Sequence, residues 1–438
     1  MNYQEAIKYV NQRLLLGINL GLERIQKLLD LMGNPQEKLK CIHVAGTNGK
    51  GSTIAMINSI LNESGYSVGR FTSPYIESPE DCIWANGKKI SKEDFANNLQ
   101  YVKEKVQLMS KKEESIEPTE FEILTAIAFW YFYNMNCDIV LLEVGLGGRL
   151  DSTNVIKKSL VSVISNISYD HTDKLGNTLS EIAYEKAGII KENSCVISYP
   201  QKEEVEKVIE DVCSIKNASL IKTDIDKINI KKSSIEGQEF DYGERKSIKI
   251  NLLGTHQIKN AALAIDTIDV LIKKSYRISE GAIKKGLFLT KWPGRFEVLK
   301  KKPVFIIDGA HNLNGVKVLK RNLQLYFPNK KIIFITGIFA DKDYVSMIKE
   351  CSFIASKFII INLDSKRGMD AKELAKVARR YCNDVVVSDT IECAVRMSID
   401  NASRDGILCA FGSLSFVGTM RSFFKILEGS EVAESGRS

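Results

Sequence analysis

The chain has 438 residues, of which 44% are hydrophobic and 26% charged, with a formal charge of +7. Its length exceeds one ordinary core and predicts two or three domains. Three classes fall away. The positive charge is dispersed, so no nucleic-acid partner is expected. No apolar run reaches membrane-spanning length, so no membrane partner is expected. Met1-Asn2-Tyr3-Gln4-Glu5 lacks the layout of a signal peptide, which predicts a cytoplasmic protein. Nine scattered cysteines contain no Cys-x-x-Cys pair, so they read as reduced thiols rather than a zinc or redox site.

In chain order, residues 1–40 read as helical until Gly33-Asn34-Pro35 breaks the pattern. Cys41–Ala45 is a short strand. Ile54, Ile57, Ile60 and Leu61 recur at helical spacing, and Gly65 ends that helix. Val68–Phe71 is a second strand, followed by helices near 91–111 and 119–133. Ile139–Leu142 is an unbroken apolar run, as expected of a strand buried on both faces. Val161–Ile164 and Cys195–Ile197 repeat the theme. Residues 215–253 are polar, lysine-rich and alternating, like a small peripheral sheet. Further strands follow at Val304–Ile307, Ile332–Thr336, Phe358–Ile361, Val385–Val387 and Ile407–Phe411, each pair separated by a helical stretch. The expected class is α/β: a P-loop-type, mostly parallel sheet with helices on both faces over 1–296, then a smaller Rossmann-like α/β domain over 297–428. The tail 429–438 reads as polar and disordered.

Between the strand at Cys41–Ala45 and the following helix lies Gly46-Thr47-Asn48-Gly49-Lys50-Gly51-Ser52. Glycines let backbone N–H groups close on phosphate oxygens, Lys50 supplies charge, and a hydroxyl stands close to a bound metal ion. The next helix adds its positive end. The spelling departs from the common phosphate loop: two residues, not four, separate Gly46 from Gly49-Lys50, and Gly51 stands where Ser or Thr is usual. No Asn-Lys-x-Asp motif marks a GTPase. The loop therefore predicts an ATP-using enzyme.

Other polar residues fall at strand ends. Glu143 closes the run Ile139–Leu142, well placed for Mg²⁺. Gly145-Leu146-Gly147-Gly148-Arg149 fails as a dinucleotide fingerprint, because Leu150 takes the third glycine's place. His171 lies in Tyr169-Asp170-His171-Thr172-Asp173, just past a strand. Thr178 and Glu181 predict a capping box. On that helix Lys186 shares the apolar face with Ile182, Ala183, Ile189 and Ile190, so it is either buried with a lowered pKa or snorkels to water. Asp308 repeats the strand-end carboxylate and leads into Gly309-Ala310-His311-Asn312. Asp341-Lys342-Asp343 is another polar strand-end loop. Charged loops of the second unit closing on the nucleotide loop would suit an interdomain site.

These blocks, in this order, resemble the folylpolyglutamate synthase and dihydrofolate synthase family of the Mur ligase superfamily. The resemblance runs through Gly21–Ile25, Gly33-Asn34-Pro35, His43–Ser52, Thr72-Ser73-Pro74, Glu143–Asp151 and Asp170-His171. It continues with Glu185–Ile189, His256-Gln257, Pro293-Gly294-Arg295, Asp308–Asn312, Asp341–Asp343 and Gly412-Ser413-Leu414. It implies that Thr47, Asn48, Gly49, Lys50, Gly51 and Ser52 hold ATP phosphates. Asn260, Arg295 and Asp308 would also meet ATP. Ser73, Glu143 and His171 would ligate Mg²⁺, and a carbamylated Lys186 would support a second metal. Lys50, Lys186, Asp308 and His311 would be the catalytic set, with His311 and Ser413 towards the incoming glutamate. A pterin substrate would lie by Gly17, Ile18, Asn19 and Leu20, by Thr119, Glu120, Phe121 and Glu122, and by Leu150, Asp151 and Ser152. Tyr75, the Pro79–Ile83 run and Ser152 depart from the family's pattern, all in loops near the substrate.

The implied enzyme is a monomeric ATP-dependent ligase. It joins L-glutamate to dihydropteroate, to reduced folates such as tetrahydrofolate polyglutamates, or to both, through an acyl phosphate. A peptidoglycan-precursor ligase shares the chemistry, but the Gly51-Ser52 ending of the loop and Gly21–Ile25 argue against it. A non-catalytic ATP-binding module is opposed by the intact Glu143, His171 and Asp308.

Overall fold

A computed structural model of the chain describes residues 1–112, 117–363, 367–414 and 416–424; the disorder expected from 429 lies outside them. The chain divides into two compact units. One comprises residues 1–231, 239–250 and 257–290, and the other 232–238, 251–256 and 291 onward.

In the first unit eleven strands run as β1 Cys41–Ala45, β2 Val68–Phe71, β3 Ile83–Ala85, β4 Lys88–Lys89, β5 Ile139–Glu143, β6 Val161–Ile164, β7 Cys195–Ser198, β8 Ser219–Lys222, β9 Ile228–Ser234, β10 Gly237–Tyr242 and β11 Arg245–Ile250. The last few residues of β9 and the first of β10 count with the second unit. The large sheet has the order β4-β3-β2-β5-β1-β6-β7-β8. It is parallel from β2 to β8, and β3 and β4 add an antiparallel edge. Parallel pairing with both faces buried explains the apolar run at β5 and the complete burial of β1. The first helix, Tyr3–Leu14, is set by an Asn2–Glu5 capping box. Thr119 and Glu122 form another at the helix Glu120–Asn134, and Thr178 with Glu181 a third at Leu179–Ala187. One layer of the core packs Ile25, Leu28, Phe95, Leu99 and Phe129 against Phe71 and Leu142.

The expected peripheral sheet exists as β11-β10-β9. It starts later than the polar composition suggested, because β8 belongs to the large sheet. β8 pairs on one side only and is half-exposed, so it carries no apolar run.

The second unit carries β12 Glu297–Lys301, β13 Val304–Asp308, β14 Ile332–Thr336, β15 Ala355–Ile361, β16 Val385–Ser388 and β17 Ile407–Phe411, in the order β12-β13-β17-β14-β15-β16. All pairs are parallel except β12 with β13. Phe334 lies against both Phe358 and Phe411 in its core.

Candidate active site

Parallel pairing places four strand ends side by side in the first unit. Val44 of β1 is in register with Glu143 of β5, Ala45 with Ile164 of β6, and Phe71 of β2 with Leu142. The Gly46 loop, Ser73, Glu143 and the segment leading to His171 thus all leave from the carboxyl edge of one sheet, where α/β folds bind ligands.

The loop after β1 is tightly built. Gly46 has φ 144° and Gly49 φ 94°. A Cβ on Gly46 would lie 1.9 Å from Ser165 Oγ, and one on Gly49 2.7 Å from Asn260 Oδ1, so both positions require glycine. The Thr47 and Asn48 N–H groups donate to the Asn166 carbonyl at 2.8 and 3.2 Å. The Thr47 hydroxyl donates to the Ser168 carbonyl at 3.0 Å and accepts from the Ser168 N–H at 3.1 Å. The amides of Thr47 and Asn48, expected at the phosphates, are therefore engaged in holding the loop. Those of Lys50, Gly51 and Ser52 begin the helix Lys50–Glu63, whose first turn lacks intrahelical acceptors and suits an anion. Gln257 Nε2 donates to Ser52 Oγ at 3.2 Å, and Asn260 Nδ2 to Gln257 Oε1 at 3.0 Å. Gln257, Asn166 and Ser168 were not singled out as site residues. Gln257 could have been, since it lies three residues before Asn260 on one helix face.

Two ammonium groups meet at one carbonyl. Lys50 Nζ donates to Gly46 O at 3.2 Å and lies 3.9 Å from Glu143 Oε1. Lys186 Nζ donates to the same oxygen at 3.0 Å and is 5% exposed, so it does not snorkel. Burial first, then the charge on Lys50, lowers the Lys186 pKa to about 7, against the pull of Asp170 and Asp151. Glu143 is buried, Ser73 half-buried and His171 partly exposed. His171 caps the short helix Thr172–Leu175 in a left-handed conformation and stands 3.9 Å from Asp170.

Among the described residues no three His, Cys, Asp or Glu side chains form a metal cage. The expected set has one carboxylate, one hydroxyl and one imidazole at adjacent strand ends. That suits a Mg²⁺ ion that completes its shell with phosphate oxygens and water.

The substrate segments are joined by specific bonds. Arg24 donates to Glu122 Oε2 at 3.2 Å and to the Asn19 carbonyl, and Gly21 N–H reaches the Leu150 carbonyl at 3.4 Å. Three of the residues expected at the substrate also bond within the fold. Glu122 Oε2 also accepts the Thr119 N–H at 2.7 Å, so both residues cap their helix. Asp151 is buried and points into its own turn. Ser152 is buried beside it. Phe121 packs on Phe71 and over Gly145. Burial raises the Glu120 carboxyl pKa, and a Tyr75 hydrogen bond opposes the rise.

In the second unit Asp308 accepts the Phe296 N–H on Oδ2 and the Ala310 N–H on Oδ1, each at 2.8 Å. Burial raises its pKa against the charge of Arg295 and these two bonds. The His311 ring Nδ1 lies 2.8 Å from the Gly309 carbonyl. Ser413 is buried and its hydroxyl accepts the Phe416 N–H at 3.2 Å. Asp308 thus clasps two turns around Arg295 and His311, a role its strand-end position did not disclose.

The Mur ligase middle domain description matches residues 44–268, and the Mur ligase glutamate ligase domain matches residues 294–414. The dihydrofolate synthase/folylpolyglutamate synthase of Bacillus subtilis is 37% identical over 97% of this chain and 99% of its own length. The solved folylpolyglutamate synthase of Thermotoga maritima is 35% identical, covers 97% of this chain and 96% of that one, and superposes with a TM-score of 0.84. That of Mycobacterium tuberculosis, complexed with ADP and AMPPCP, is 28% identical over 97% and 99%, with a TM-score of 0.88.

Proposed function

Because the chain belongs to the folylpolyglutamate synthase/dihydrofolate synthase family of Mur ligases, we propose that it joins L-glutamate both to dihydropteroate and to reduced folates. It is an ATP-dependent amide ligase. The joint activity rests on one observation above the rest: a relative that bears both names matches 97% of this chain. The same likeness favours a folate-type substrate over a peptidoglycan precursor.

A carboxylate is a poor acyl donor, so the reaction must first activate it. The γ-phosphoryl group of ATP moves to the substrate carboxylate and leaves ADP. The glutamate amine attacks the acyl carbon, and phosphate departs with the C–O bond while the amine loses a proton. Lys50, beside Glu143, offsets charge on the transferring group, and the first-turn amides of Lys50, Gly51 and Ser52 receive phosphate oxygens. Ser73, Glu143 and His171 would hold Mg²⁺, and Lys186, if carbamylated through its neutral amine, would serve a second ion. Bound there, Mg²⁺ supplies positive charge to the phosphate oxygens. Asn260 lies beside the loop at Gly49 and meets the nucleotide. Arg295, Asp308 and His311 serve ATP and the incoming glutamate, with Ser413 also towards glutamate. The pterin lies along Gly17–Leu20, Thr119–Glu122 and Leu150–Ser152.

The test is ADP release by purified protein given ATP, Mg²⁺, L-glutamate and either dihydropteroate or tetrahydrofolate. Turnover with both supports the reading, turnover with one narrows it, and turnover with neither ends it.

A further inference from the structure

The buried strand β1 contains a histidine that the ligase chemistry does not use. His43 is wholly buried, and its Nε2 lies 2.8 Å from Thr153 Oγ1. That hydroxyl donates to Asp151 Oδ1 at 2.5 Å, and the Thr153 N–H donates to the same oxygen at 3.0 Å. The other carboxylate oxygen, Asp151 Oδ2, accepts the N–H groups of Gly145 and Leu146, each at 2.9 Å.

The direction of this chain follows from counting protons. A threonine hydroxyl has one, and here it goes to a carboxylate, the stronger acceptor. Thr153 Oγ1 must then accept from His43, which sets the Nε2–H tautomer and leaves Nδ1 bare. The structure agrees, since His43 Nδ1 is buried with no hydrogen-bond partner. A bare ring nitrogen is tolerable in apolar surroundings only while the ring stays neutral. Burial, assisted by Lys191, pushes the His43 pKa well below its ordinary value.

Both ends of the chain abut the candidate site. His43 lies three residues before Gly46, on the strand that feeds the phosphate loop. Gly145 and Leu146 follow Glu143 directly after Val144, and Leu150–Ser152 line the pterin segment. The turn is anchored at one point by Arg149, whose side chain and N–H bond Glu185, and its link towards β1 runs through the Asp151 carboxylate that gathers the Gly145 and Leu146 amides.

We propose that His43, Thr153 and Asp151 are positioning residues that lock the 145–151 turn to the phosphate-loop strand, so that Glu143 and the pterin segment keep a common register. The proposal rests on the ligase reading for its assay, and the wild-type control separates the two.

The experiment compares wild type with Thr153→Val, which keeps shape and loses the hydroxyl, and Thr153→Ser, which restores it. Expected for Thr153→Val is a fall of about tenfold in kcat/KM for the pterin substrate, with the KM for ATP within about twofold. Thr153→Ser should recover wild-type kinetics. A lowered Tm with unchanged kinetic constants for the Val variant would reduce the chain to ordinary core packing and overturn the proposal. Nitrogen NMR of the His43 ring gives a readout apart from activity. A proton on Nε2, with no titration down to about pH 5, supports the chain, and a proton on Nδ1 overturns it. Absence of turnover in wild type would instead remove the ligase reading and leave the NMR test standing.

Discussion

Thr47 and Asn48 are gripped by Asn166 and Ser168, Ser52 by Gln257, and Lys50 by the carbonyls of its own loop. At the end of the first helix the chain is held differently. Leu14, Leu15 and Ile18 are exposed at 46%, 84% and 58%, and the segment is tied down mainly through Arg24 and Gly21. We propose both regions for ligand binding, one for the nucleotide and one for the pterin. Under that proposal the phosphoryl-transfer half is built into the sheet, whereas substrate choice would sit on a segment with little of its own to bury. Exposed apolar side chains on a lightly tied segment are suited to being covered by a flat, partly apolar ligand.

The largest break in this comparison should come from Lys186→Ala. If the amine is carbamylated and supports a metal, turnover falls by about 10²–10³-fold, while Tm holds or rises, because a buried amine is costly to the fold. The pH dependence has a definite sign. Only the neutral amine takes up CO₂, and with a pKa lowered to about 7 bicarbonate should activate more at pH 8 than at pH 6. Activation that begins only near the ordinary lysine range would refute the reading, as would normal turnover in the Ala variant.

Glu143→Gln should come next. It removes a carboxylate charge from the metal set while leaving the shape, so the Mg²⁺ concentration for half-maximal rate should rise about tenfold. A superimposable Mg²⁺ titration would exclude Glu143 as a ligand. Gly49→Ala sharpens the rigidity of the loop, since the new Cβ would collide with Asn260 at a φ of 94°. An increase of several-fold in KM for ATP is expected, with a stability loss of about 1 kcal/mol or more in urea unfolding. Unchanged nucleotide affinity would mean that the loop yields more than its packing suggests.

Ile18→Ser should have the smallest effect and bears on the other region. Global stability should change by about 0.5 kcal/mol or less, as for an exposed position. The KM for dihydropteroate or tetrahydrofolate should rise about two- to fivefold with that for ATP unchanged. An effect on ATP instead would erase the distinction between the two regions.

Much of the first region was legible in the chain. The apolar run at β5, the glycine spacing of the loop and the capping box at Thr178 each depend on neighbours in sequence, so local patterns disclose them. The strand-end carboxylates were harder. Glu143 and Asp308 look alike in sequence, each closing an apolar run. In the structure Glu143 stands 3.9 Å from Lys50, whereas both oxygens of Asp308 bind backbone amides. Thr119, Glu122 and Asp151 are expected at the substrate, and the structure adds that the first two cap their helix and the third gathers the amides of its turn. The Thr119 box has the same spacing as the one at Thr178 and is local, whereas the Lys50–Glu143 approach depends on how the chain returns, which local spacing does not encode.

The sequence by itself determined the α/β class, the phosphate loop, the ligase family and the residue types the chemistry requires. These follow from periodicity, glycine positions and motif order, which are one-dimensional properties. Only the tertiary structure decided which residues act together. Sheet order put β5 and β6 on either side of β1, and so brought Glu143, Lys50 and Lys186 around the Gly46 loop. Burial then lowered the Lys186 pKa to about 7, because the cost of charge depends on what surrounds the amine in space rather than along the chain.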